Sequence, residues 1–233
     1  MSATLLEKSH LQLADAARTA FAAMEPKSPA WDDPTLSCKV SGLGQYGYLV
    51  PAAHGGKLPA VDVQSICVLR EELAYRNSAA DSIFAVQGLG SHPILLGGSA
   101  EQKATLLPKV ADGSALFAFA LTEPDAGSDV AALATTAVKR GDSYVLNGHK
   151  RFISNAGVAT HYTVFARTGE GTKGISAFIV TPGMAGFSMK KMELMGEHPI
   201  GELFFEGCEV PVSARVGEEG AGWGAGGTPR GSN

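Results

Sequence analysis

Two hydrophobic periodicities divide the chain. Through about residue 110 apolar positions recur at helical spacing. Leu5, Leu6, Leu13, Ala17, Ala20 and Phe21 form one stripe, which stops before Pro26 and Pro29. Val63, Ile66, Cys67, Leu73 and Ala74 form a second, with Arg70, Glu71 and Arg76 on its wet side. Ser99 followed three residues later by Gln102 has the spacing of a capping box, and Pro108 is expected to end the helix it opens. From about 115 the alternation becomes strand-like, with candidate strands at 116–121, 133–139, 143–147, 150–154, 161–167, 174–181, 186–191 and 202–206. Gly141-Asp142, Asn147-Gly148 and Pro182-Gly183 supply turns between them. The pattern predicts an α+β chain: an N-terminal helical domain over 1–114, then a small β-barrel or sandwich middle domain over 115–213. Residues 214–233 read as a linker and, from "GAGGTPRGSN" after Trp223, a disordered tail.

Composition narrows the function classes. Of 233 residues, 45% are hydrophobic and 18% charged, a globular balance. The net charge of −4, with no basic block, argues against a polyanion partner but leaves room for one nucleotide phosphate. Cys38, Cys67 and Cys208 are far apart and form no CxxC pair, and the histidines include no HxxxH pair, so neither a metal site nor a disulfide framework is expected. The first 25 residues carry Glu7, Asp15 and Glu25, unlike a signal peptide, and no run approaches the roughly 20 apolar residues of a membrane span. A cytoplasmic location is therefore expected.

Among motifs, "GLGQYG" (42–47) fits G-x-G-x-x-G literally, but Pro51, Gly55 and Gly56 follow too soon for a helix and no βαβ unit surrounds it. There is no GxSxG, and Ser154 with His161 lacks a supporting triad context. The stretch "LFAFALTEPDAGSD" (116–129) is different, because a buried strand stops and hydroxyls, carboxylates, Pro and Gly follow at once. A strand end frees backbone donors and acceptors, Gly127 permits close approach, and Thr122 and Ser128 supply hydroxyls, a set suited to a planar amide-like ring with a phosphate nearby. It equally suits a turn in which Asp125 and Asp129 satisfy local amides. In "YVLNGHKRFISNAG" (144–157), Phe152 and Ser154 alternate onto one face, offering a flat surface and a hydroxyl to one ligand; the alternative is a core Phe beside an exposed Ser.

Together these stretches resemble the acyl-CoA dehydrogenase family: "ALTEPDAGSD" is similar to its T-E-P-x-A-G-S-D flavin loop, and "YVLNGHKRFISNAG" to its Y-x-x-N-G-x-K-x-W-I-T-N-A pattern. Supporting matches are "VPAAHGG", "EQKATLLPKVADG", "TKGISAFIV" and "FFEGCEVPVSARVGEEGAGW". The resemblance implies a helical N-terminal domain, a β middle domain and a C-terminal helical domain with FAD at their junction. By position it implies that Phe119, Leu121 and Thr122 meet the flavin ring, that Gly127 and Ser128 approach the pyrophosphate with Ser128 also near the acyl-CoA substrate, and that Phe152, Ile153 and Ser154 contact the isoalloxazine. Phe152 stands where Trp is usual and Ser154 where Thr is usual. The family's catalytic Glu lies in the C-terminal helical domain, which "GEEGAGW" normally introduces. Glu123 and Asp125 are read as structural and the Glu218-Glu219 pair as an exposed turn, so no catalytic residue is assigned. The expectation is a truncated family member, inactive alone, with an electron-transferring flavoprotein as acceptor and the family's homotetramer doubtful. The alternatives are a non-catalytic FAD- or acyl-CoA-binding remnant, one part of a split enzyme, and a flavin-dependent monooxygenase of the same fold.

Overall fold

The computed structural model describes residues 6–24, 40–195 and 199–222. Leu5, Pro26, Pro29, Cys38 and the tail beyond Trp223 lie outside them. Helices come first: α1 Lys8–Phe21, α2 Val63–Arg76, α3 Ser78–Gly97 and α4 Ala100–Asp112. Each start has a chemical reason. Asp62 caps α2 through the Ser65 amide, Asn77 caps α3 through the Ala80 amide at 2.9 Å, and Ser99 with Gln102 forms the expected reciprocal box on α4.

Two helical expectations need correcting. The buried face of α2 is Ser65, Val68, Leu69 and Leu73, whereas Val63, Cys67 and Ala74 are exposed. This helix packs between α1 and α3, so its buried stripe is rotated from the one that apolar spacing alone suggests. Pro108 does not end α4 either. The helix runs through it to Asp112, carried by buried Leu107, Val110 and Ala111, and stops at Gly113, whose φ of 77° is the left-handed cap that glycine adopts without strain.

Eight strands follow: β1 Phe117–Ala120, β2 Thr136–Arg140, β3 Ser143–Ser154, β4 His161–Arg167, β5 Ile175–Val180, β6 Phe187–Lys191, β7 Ile200–Pro211 and β8 Arg215–Val216. They form one sheet in the order β6-β7-β3-β2-β4-β5-β8, with β1 joined in parallel to β4. The end strands β6 and β8 do not pair, so the closed barrel or two-sheet sandwich expected above is instead one open curled sheet. Asn147-Gly148 is not a turn. It sits inside the continuous β3, at a bulge where β7 contributes an extra residue, and the Asn147 side chain accepts the Gly207 amide at 2.8 Å. The two strands expected at 143–147 and 150–154 are therefore one.

Alternate residues of β4 and β5 feed two cores. Phe165, Ala177 and Ile179 pack with the helices, and Val164, Phe178 and Val180 pack inside the curl of the sheet with Leu146, Ile153 and Leu203. The seam between helices and sheet is tight. At Gly90 of α3 a Cβ would come within 2.9 Å of Ala118 and Phe117, and the Gly90 carbonyl accepts the Thr163 hydroxyl at 2.6 Å. Gln87, fully buried, accepts the Phe117 amide at 2.7 Å and donates to the carbonyls of Ala115 at 2.7 Å and Val110 at 3.3 Å. One side chain thus fixes the end of α4 and the start of β1. Among the described residues no helix is long and apolar enough to cross a membrane.

Candidate functional site

β1 delivers the chain to the site. After Ala120 the strand pairing ends, and a tight turn closes as the Glu123 and Ala126 amides exchange bonds with each other's carbonyls at 2.9 and 3.3 Å. Pro124 and Asp125 lie exposed at its tip. Asp129 accepts the Ala131 amide at 3.2 Å, so local amide capping explains that carboxylate. It does not explain Thr122 or Ser128, whose hydroxyls donate to no group among the described residues.

The second stretch is brought alongside by hydrogen bonds. The Arg151 amide donates to the Thr122 carbonyl at 2.8 Å, and the Lys150 ammonium donates to the Leu121 carbonyl at 3.0 Å and to Glu123 Oε1 at 2.7 Å. Beyond Lys150 the β3–β7 register jumps, and Phe152 sits in the bulge at φ 57°. A bulky residue in the left-handed region is a genuine outlier, held by its surroundings, and such outliers cluster at binding sites. The bulge turns the Phe152 ring outward, 51% exposed, with the Arg151 guanidinium 4.9 Å from its centroid. Arg151 in turn lies 3.4 Å from Glu202, which also approaches His149 at 3.2 Å. Asn155, at φ 62°, ends the strand. Its amide donates to the Pro199 carbonyl and its side chain to the Phe117 carbonyl.

The structure therefore joins Leu121 and Thr122, half-buried, to exposed Phe152 and half-buried Ser154, with Gly127 and Ser128 exposed in the same loop. A Cβ added at Gly127 would meet no atom within 4 Å, so the space beside it is open. Phe119 and Ile153 lie nearer the two cores, Phe119 half-buried and Ile153 buried. Phe119 packs its ring against Phe165, 4.9 Å between centroids, at the helical core. Ile153 is buried in the core inside the sheet and has only its backbone to offer the open face.

Glu123 is tied into the fold on both oxygens, and its charged partner is Lys150, to which no role is assigned above. Glu123 is 6% exposed and accepts the Ala134 and Thr135 amides as well as Lys150, whose side chain is fully buried. Burial pushes the Glu123 carboxyl up, but the Lys150 charge and these hydrogen bonds together hold it below its ordinary value. Burial also lowers Lys150 to about 8, against the opposing pull of Glu123. Both carboxylate oxygens of Glu123 are engaged by Lys150 and two backbone amides, which commits the group to the fold and not to a ligand. Glu218 and Glu219 are both exposed as expected, and Glu219 accepts the Tyr144 hydroxyl at 2.7 Å. The alternation of β3, with Tyr144 and Leu146 inward, reaches Lys150 only because the strand runs unbroken through Asn147-Gly148, so the turn expected there conceals it.

An open cluster of aromatic, hydroxyl and backbone groups thus lies where one loop meets one bulged strand in an α+β chain of helical and sheet domains. The family model described as acyl-CoA dehydrogenase, N-terminal domain matches residues 7–114, and that described as acyl-CoA dehydrogenase, middle domain matches 118–208. The chain belongs to the acyl-CoA dehydrogenase family. It is 41% identical over 192 residues to an acyl-CoA dehydrogenase of Bacillus subtilis, covering 79% of this chain and 50% of that protein. It is similar to the solved butyryl-CoA dehydrogenase of Megasphaera elsdenii, with TM-score 0.85 and 32% identity over 94% of this chain and 61% of that one. A glutaryl-CoA dehydrogenase of Mycobacterium smegmatis, solved in complex with FADH2, matches with TM-score 0.83 and 28% identity over 95% of this chain and 59% of that one. The chain spans about half the length of the curated relatives it matches.

Proposed function

We propose that these residues form the N-terminal and middle-domain side of an FAD site serving α,β-dehydrogenation of an acyl-CoA thioester. The observation that carries the reading is the open cluster of Thr122, Ser128, Phe152 and Ser154. An aromatic ring is held outward at a strained backbone position, next to a loop with two hydroxyls that donate to nothing else described and open space at Gly127. These residues fit a flavin: a planar ring to stack, a polar edge to bond, and a phosphate that needs close backbone approach.

FAD, when bound, supplies the acceptor for the substrate β-hydride. This chain's residues do the rest of the positioning. Thr122 and Ser154 offer hydrogen bonds to the ring's polar edge, and Phe152 covers a face and excludes water. Gly127 and Ser128 hold the pyrophosphate, with Ser128 also facing the thioester substrate. An α-hydrogen beside a thioester is weakly acidic and requires a positioned carboxylate base. Glu123 is committed to Lys150, and Glu219 to Tyr144, so we assign that base to neither. The partner proposed to accept the electrons is an electron-transferring flavoprotein, in keeping with the similarity to a solved structure named for one from Acidaminococcus fermentans.

Hydrogen–deuterium exchange with and without FAD tests the site. Protection concentrated in 119–128 and 150–154 is the expected result. Protection elsewhere, or none, would overturn it.

A further inference from the structure

We propose that the buried Glu123–Lys150 pair is the positioning device of this site, locking the Leu121–Thr122 loop and the Phe152 bulge into one register so that neither moves without the other; this rests on the flavin reading above. Successive loop carbonyls are bound by successive β3 residues. Leu121 is held by the Lys150 side chain at 3.0 Å and Thr122 by the Arg151 backbone at 2.8 Å. Glu123, between the loop and the approach to β2, receives Lys150 at 2.7 Å and the Ala134 and Thr135 amides at 2.7 and 2.9 Å. Three separate segments thus converge on two buried charges.

Phe152 stands two residues beyond Lys150. The ladder skips from Lys150 opposite Leu203 to Ile153 opposite Gly201, so Phe152 has no partner across β7 to hold its left-handed backbone. Strained geometry of this kind persists where neighbouring contacts over-determine it. The Lys150 clamp on one side and Asn155, bonded to Pro199 and Phe117, on the other supply those contacts. A purely stabilising role has no need of charge, because a buried ion pair is often replaceable by neutral groups of similar volume without loss of stability. What an apolar side chain such as that in Lys150→Met does not reproduce is the directional bond from the ammonium to the Leu121 carbonyl. That bond is the feature that sets the loop against the bulge.

The test uses the whole chain carrying Lys150→Met alone or combined with Glu123→Gln, with three readouts: thermal midpoint, amide exchange without ligand, and FAD titration. Lys150→Met alone is expected to lower the midpoint, because it strands a buried carboxylate. The double variant is expected to regain part of the midpoint, because Glu123→Gln removes the stranded charge but keeps an acceptor for only one of the Ala134 and Thr135 amides. Its exchange at 121–129 and 151–154 should nevertheless remain about tenfold faster than wild type, and its FAD affinity about tenfold weaker. Recovery of exchange and affinity along with the midpoint would overturn the proposal. Wild type that binds no FAD would sink the flavin reading instead, leaving the ligand-free exchange to decide the positioning role. Should the double variant not fold, Glu123→Asp keeps both charges but shortens the reach by one methylene, and unchanged exchange in it would equally refute the lock.

Discussion

Replacing Gln87 by Leu probes the seam that aims β1 at the site. Gln87 is 0% exposed and makes bonds of 2.7 Å with the Phe117 amide, 2.7 Å with the Ala115 carbonyl and 3.3 Å with the Val110 carbonyl. Leucine fills a similar volume but leaves the buried Phe117 N–H without an acceptor and the Ala115 carbonyl without a donor, each at roughly 1–3 kcal/mol, while the Val110 carbonyl keeps the Gly113 amide. The added apolar burial returns about 1–2 kcal/mol. The balance is a net loss of about 2 kcal/mol, which for a chain of this size lowers the thermal midpoint by roughly 4–8 °C. Calorimetry of wild type, Gln87→Leu and Gln87→Met under one buffer condition measures it. Leu and Met should lose similar amounts, since the missing bonds and not the shape are responsible. A Gln87→Leu midpoint equal to wild type would refute the reasoning, because it would mean that the freed Phe117 amide costs nothing.

Other substitutions separate packing from ligand contact. Gly90→Ala should cost about 1–3 kcal/mol in denaturant unfolding, since its Cβ would sit 2.9 Å from Ala118 and Phe117. Gly127→Ala meets no atom within 4 Å, so unfolding should be unchanged while FAD affinity falls; unchanged affinity would remove Gly127 from the site. Acid stability should depend on two carboxyls. Asp62, held at about 2 chiefly by hydrogen bonds from Ser65, and Glu123, held below its ordinary value, both bind protons more readily when unfolded. Their contribution is therefore complete above the ordinary carboxylate range and is lost as pH falls through the folded values, for Asp62 near 2. Denaturant midpoints across the acid range should fall less steeply in Asp62→Asn than in wild type, and equal slopes would exclude the linkage.

Much of this architecture is legible in local pattern. The change from helical to alternating spacing near residue 115 marks the start of the sheet, and Ser99 with Gln102 gives the start of α4 outright. The two signature stretches do lie together, joined by the Arg151–Thr122 bond. What escaped the pattern depends on long-range partners. Asn147-Gly148 has turn chemistry, but β7 runs along both sides of it and absorbs it as a bulge. Pro108 breaks helices in isolation, yet buried neighbours on either side carry α4 past it. The α3 helix, with apolar residues on most of its faces, has little periodicity to read, and its Gln87 and Gly90 gain meaning only from β1 packed against them. Lys150 looks like one more surface lysine until Glu123, 27 residues earlier, is folded against it.

The most direct test is a titration of FAD with the protein, followed through the flavin's visible absorption, in wild type and Phe152→Ala. Phe152 is 51% exposed and outside both cores, so its truncation leaves the fold intact. The account predicts a saturable change in the flavin band for wild type, and for Phe152→Ala a weaker, blunted change at an unaltered thermal midpoint. An identical titration in both proteins, or no change in either, would contradict it.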